Sequence, residues 1–203
     1  KTYQNHQASS ITSETVLEGE EHTSFGDMNL GVVYRLFKKS KHAFSAALTL
    51  GIPSGDSNGG SDGSYQTGDG EFNQELRFNA GTSFKVSKHP FYAKGFLGFN
   101  NRTEGFSDEL KFGFETGTGL FKNRLLLLLR SNIVKSQKNG SLSAANSDGS
   151  IFANNVEFIS IGGAVAWKFT KKIGLSFAYS SAVSGRVIYA APSYSAGVFY
   201  LLK

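Results

Sequence analysis

Eight charged residues stand where they could act together: Arg35, Glu75, Arg77, Lys94, Lys111, Glu115, Arg130 and Lys168. Each lies in the polar phase of a segment whose apolar and polar residues alternate, and the two signs are interspersed. Such a row can grip a polar ligand, with Arg77 and Arg130 as the best-placed cations. It can equally pair within itself and brace the structure that carries it. Other chemistry is poorly supplied. There is no Cys, which removes thiol nucleophiles, disulfides and Cys-based zinc or iron–sulfur sites. Of the four His residues, His42 and His89 sit among lysines, His6 has no evident partner, and His22 lies near Ser24 and Asp27. No catalytic residue is assigned from these, and no cofactor is expected. Asp56, Asn58, Asp62, Asp69 and Glu71 share a Gly-rich stretch but lack EF-hand spacing, so it reads as a solvated loop and not a metal site. The glycine clusters precede strands, not helices, which argues against a phosphate-binding loop.

The elements that carry these residues are strands. From Ile173 to Ser184, Ile173, Leu175, Phe177, Tyr179 and Val183 alternate with Gly174, Ser176, Ala178, Ser180 and Ser184. Side chains on a strand point to opposite faces in turn, so this period gives one bulky apolar face and one small, weakly polar face. The same reading covers Met28–Leu36, Phe44–Ile52, Phe72–Val86, Phe91–Asn100, Leu110–Leu120, Leu125–Ile133, Ile159–Phe169 and Ile188–Tyr200. Nine strands are therefore expected, with a weaker one within Thr2–Thr15. Residues 1–24 read as that first strand followed by an acidic loop, and residues 1–203 as a single domain. Most of the strands exceed the ~5–6 residues usual in soluble sheets.

The connections are of two kinds, in alternation. One set is short and basic: residues 38–42, 87–90, 122–124 and 171–172. The other is generally longer and built from Gly, Asp, Asn and Ser: residues 54–70, 101–108 and 137–153, with a short member at Gly185-Arg186. These residue types bend easily and hydrogen-bond their own backbone. Strict alternation implies a sheet whose two ends differ.

Long strands with one greasy face and loops sorted by parity are what a bilayer-spanning β-barrel requires. A soluble sandwich or lipocalin-like barrel also alternates, with its apolar face inward. The opposite face would then meet water. Here that face is rich in Gly, Ser, Ala and Asn and not dense in Lys and Glu as a solubilising surface should be. Aromatic residues near strand ends on the apolar face, among them Phe44, Phe84, Phe91, Trp167 and Tyr200, fit interfacial girdles. No apolar run approaches the ~20 residues of a membrane helix. The opening Lys1-Thr2-Tyr3-Gln4 is polar, as in a mature or trimmed chain or a cytosolic one. The net charge of +5 is mild and gives no reason to expect a nucleic-acid partner. The expected fold is thus all-β: a closed antiparallel transmembrane barrel of about ten strands, its partners membrane lipid and other outer-membrane proteins. A barrel of that size has a narrow lumen, which favours bracing ion pairs over an open conduit.

Gly26-Asp27-Met28-Asn29-Leu30-Gly31-Val32-Val33-Tyr34-Arg35 is followed by Pro53-Ser54-Gly55-Asp56 at a strand end and by Gly68-Asp69-Gly70. This set, within residues 25–87, resembles the phenol-degradation meta-pathway family of outer-membrane β-barrels, a transporter-like group. The final Phe199-Tyr200-Leu201-Leu202 is similar to a barrel-assembly terminal strand, although Lys203 follows where such strands often end on an aromatic residue. The resemblance implies localisation in the outer membrane of a Gram-negative bacterium and porin-like transport or binding of a small compound, hydrophobic ones included. Family members carry additional N-terminal strands, which implies twelve strands if such a part precedes this chain. Two other roles suit the same wall: a structural subunit of a larger outer-membrane complex, and an enzyme with an external active site. The expectation is that the chain is not an enzyme.

Overall fold

The computed structural model describes residues 23–60, 65–142, 152–188 and 191–202. Among them there are nine strands and no helix: β1 Met28–Lys39, β2 His42–Ile52, β3 Asn73–Val86, β4 His89–Asn101, β5 Glu109–Leu120, β6 Leu125–Ser136, β7 Glu157–Lys168, β8 Ile173–Arg186 and β9 Ser193–Tyr200. They form one sheet in sequence order, each strand hydrogen-bonded to the next. The ladders from β2 to β9 are all antiparallel. No β1–β9 pairing occurs among the described residues, so those two strands are the sheet's edges. The proposed strand within Thr2–Thr15 lies outside the described residues, as do His6, His22 and Asp62.

By contacts, the chain divides into two units. The smaller comprises residues 1–28 and 53–70. Its described part is a knot of turns centred on Asp27, whose carboxylate accepts the backbone N–H of Gly55 at 2.8 Å and of Asp69 at 3.0 Å. Thr67 donates its hydroxyl to the Phe25 carbonyl at 2.8 Å and accepts the Asp56 N–H at 2.9 Å. A Cβ at residue 68 would stand 2.3 Å from Asp27 Oδ1, so only glycine leaves room for the carboxylate there. The Gly-Asp pairs quoted above are thus one hydrogen-bonded assembly.

The larger unit, residues 29–52 and 71–203, holds the sheet. Cross-strand partners share a face, and the register sorts the faces consistently. Leu76 pairs with Phe99, Phe112 with Ile133, Leu127 with Val165 and Phe177 with Ala196 on one face. Arg77 pairs with Gly98, Lys94 with Glu115 and Glu115 with Arg130 on the other. The apolar face is the open one: Leu129 is 54% exposed and Phe177 48%. The polar face is the covered one: Glu75, Glu109 and Glu115 are buried, and Glu71 is 1% exposed. Of the described apolar side chains, only Ala153 and Ala166 are buried. Hydroxyls on the apolar face are spent on backbone: Thr116 and Thr118 donate at 2.8 Å to the carbonyls of Tyr92 and Pro90.

One face assignment needs correction. Ile159 pairs with Ser184, but Ser160 pairs with Ala182, so Val183 is the extra residue of a β-bulge. The bulge shifts the phase, and Ser184 lies on the face of Ile159, not with the small row of Gly174 and Ser176. The sequence also places the start of the last strand at Ile188, whereas β9 begins at Ser193.

Candidate inner-face site

The polar face carries its charges in three tiers along the strands. The first lies toward the long loops, where β3, β4, β5 and the residues flanking them bring six charges into one alternating chain. Glu75 accepts from Arg77 at 2.5 Å and from Lys111 Nζ at 3.2 Å. Lys111 also reaches Glu109 at 3.2 Å, and Glu109 accepts from Arg102 Nη1 at 3.1 Å. Arg102 donates through Nε to Glu71, whose second oxygen accepts the Thr103 N–H at 2.8 Å. Asn100 fixes the far side of Glu109 at 3.1 Å and donates to Asn73 at 2.8 Å. The register explains this meeting: Glu75, Asn100 and Glu109 are successive cross-strand partners. Three carboxylates and three cations balance, which is the condition under which charges tolerate burial.

The second tier centres on Glu115. It accepts the Tyr92 hydroxyl at 2.6 Å, Lys94 Nζ at 3.0 Å and Arg130 Nε at 2.5 Å. One carboxylate thus serves two cations and a phenol. The Arg77 guanidinium lies over the Phe96 ring at 4.2 Å, and that ring covers Gly113, where a Cβ would sit 2.0 Å from it.

The third tier, toward the short turns, has cations and a hollow. A cavity of about 780 Å³ is lined by Tyr92, Gly117, Leu126 and Leu128, with Lys41, Lys85 and Lys168 also in its wall. None of these three lysines has a carboxylate partner among the described residues.

Of the eight charged residues picked from sequence, Glu75, Arg77 and Lys111 fall in the first tier and Lys94, Glu115 and Arg130 in the second. Lys168 belongs to the cavity. Arg35 stands on the edge strand β1, exposed and without a carboxylate partner among the described residues. Both arginines favoured as ligand grips are therefore engaged by carboxylates. Of the loop residues considered for oxygen ligation, Glu71 is taken by Arg102, and Asp56 accepts the Asn58 N–H at 2.9 Å.

Residues missed from sequence are Glu71, Arg102 and Glu109 as ion-pair partners, Tyr92 as the donor to Glu115, and Phe96, Leu126 and Leu128 on the polar face. Their signal was present only in part. The run Leu125–Leu129 does not alternate in residue type, so its positions opposite Leu125, Leu127 and Leu129 follow only from the phase set by Arg130 and Asn132. Residues 71 and 102 lie outside the strands, where the period stops.

No family model matches this chain, and no curated protein matches its sequence.

Proposed function

We propose that the chain is a transmembrane β-barrel of a bacterial outer membrane that passes or binds a small organic compound through its polar inner face. The observation that carries this reading is the inverted burial: carboxylates are covered while Leu129, Phe114 and Phe177 stand open. In water, exposing that many large apolar side chains would be strongly unfavourable. Against acyl chains it is the favoured arrangement, and a charge on that face would cost about 2–4 kcal/mol at the midplane.

Closure follows from backbone chemistry. An open strand edge leaves N–H and C=O groups without partners, which hydrocarbon does not tolerate. In an up-and-down meander β1 and β9 run in the same direction, so an antiparallel closing strand between them makes ten, the even number usual in such barrels. The weak alternation within Thr2–Thr15 is the sequence's candidate. The family resemblance supports the transporter-like role, and the paired charges support a braced wall within it. No reaction is assigned.

Gel mobility in mild detergent, with and without boiling, tests the reading. A closed barrel migrates differently before and after heating. Unchanged mobility, together with solubility in the absence of detergent, would overturn it. In liposomes, Arg77→Ala and Arg130→Ala should alter solute flux if the inner face is the path.

A further inference from the structure

The third tier differs from the other two in having uncompensated charge beside apolar surface. Every charged residue in the stretches 38–42, 85–89, 122–124 and 168–172 is basic or His. Lys41, Lys85 and Lys168 contribute to the cavity wall, and their positions are set by backbone pairing. The Lys41 carbonyl accepts the Ser83 N–H at 2.9 Å, and the Lys168 N–H donates to the Arg124 carbonyl at 2.8 Å. Beside them, Leu126 and Leu128 present aliphatic surface on the inner face, each opposite a glycine, Gly119 and Gly117. The Tyr92 ring completes the apolar part, its hydroxyl already committed to Glu115. A Cβ at residue 117 would lie 2.7 Å from the Tyr92 ring and 2.8 Å from Leu128 Cδ2, so ring and leucine close over the glycine. At about 780 Å³ the hollow falls in the range of small-molecule sites, which combine apolar lining with a few placed polar groups.

We propose that this cavity binds an amphipathic organic anion, its apolar body against Leu126, Leu128 and Tyr92 and its carboxylate at Lys85 and Lys168. The inference rests on the barrel reading, because it takes the row of Tyr92, Leu128 and Lys168 as the inner face. For the same reason the ligand is a free solute and not a membrane lipid: acyl chains lie against the opposite row. An ammonium held near an anion without a competing carboxylate makes a charge-assisted hydrogen bond. Lys94 and Lys111 are already engaged in that way by Glu115 and Glu109.

The test is calorimetric titration of the full chain in phosphatidylcholine nanodiscs with decanoate, decanol and decylammonium. Decanoate should bind saturably, decanol about tenfold or more weaker, and decylammonium not at all. The double variant Lys85→Gln/Lys168→Gln should weaken decanoate about tenfold or more while leaving decanol within about twofold. Lys88→Gln, a turn cation outside the lining, should leave decanoate within about twofold. Equal affinity for acid and alcohol, indifference to the double variant, or no binding beyond that of empty nanodiscs would overturn the proposal. So would competition by phosphatidylglycerol added to the nanodiscs, which would make the ligand a lipid. Heat-dependent gel mobility of the same sample separates the two readings. A sample that shifts but does not bind overturns the site alone; one that does not shift and stays soluble without detergent overturns the barrel and the site together.

Discussion

The polar face of the sheet is one continuous surface carried by the same strands, yet its two halves handle charge in opposite ways. Toward the long loops, Glu71, Arg102, Glu109, Lys111, Glu75 and Arg77 alternate in sign and lie largely buried. Toward the short turns, Lys41, Lys85 and Lys168 stand beside a hollow with no carboxylate partner among the described residues. Glu115 marks the border, one carboxylate between two cations. Charges that satisfy one another hold strands in register and leave nothing for a ligand. Charges left unsatisfied beside apolar surface contribute little to the fold and can act on something else.

Removing a partner from the paired half should have the largest effect. Glu109→Ala leaves Arg102, whose side chain is 6% exposed, with Glu71 alone and Lys111 with Glu75, so that three cations face two carboxylates. Stability should fall by about 3–5 kcal/mol, read as a lower urea midpoint for the protein in lipid vesicles. A midpoint close to that of the parent would mean the alternating chain is incidental. Second comes the face assignment that both halves share. Phe177→Arg, in the middle of β8, should cost about 2–4 kcal/mol in the same assay. A neutral result would place that row in water.

Much of this was legible from the chain alone, for a physical reason. Period-two alternation is imposed by strand geometry, so all nine strands and the sorting of Phe112, Leu127, Ile161 and Phe177 from Gly113, Ser176 and Gly162 could be read directly. The pairing of charges could not. It depends on register, which brings Glu75, Asn100 and Glu109 abreast across three strands, and register depends on turn lengths as well as pattern. The Val183 bulge was hidden because Val183 and Ser184 continue the alternation in residue type while the backbone drops out of phase. The cavity was hidden because Leu126 and Leu128 sit in an unbroken leucine run.

Two smaller effects sharpen the border between the halves. Glu115→Ala should cost about 1–3 kcal/mol, less than Glu109→Ala, because Lys94 and Arg130 are half-exposed and can be hydrated. Glu115→Gln should recover part of that loss by keeping an acceptor for the Tyr92 hydroxyl. Lys85→Gln should change stability by no more than about 0.5 kcal/mol, since no ion pair depends on it among the described residues. A large loss there would show that the cavity half is held by charge after all, and the contrast between the halves would fail.

In the proposed barrel, the row containing Phe177 meets acyl chains while the row containing Ser176 does not. With Trp167, the single tryptophan, replaced by Phe, Phe177→Trp and Ser176→Trp can be compared in vesicles whose phospholipid chains carry bromine. Strong quenching of the indole at 177 and weak quenching at 176 are expected. Quenching at 176 with none at 177 would contradict it.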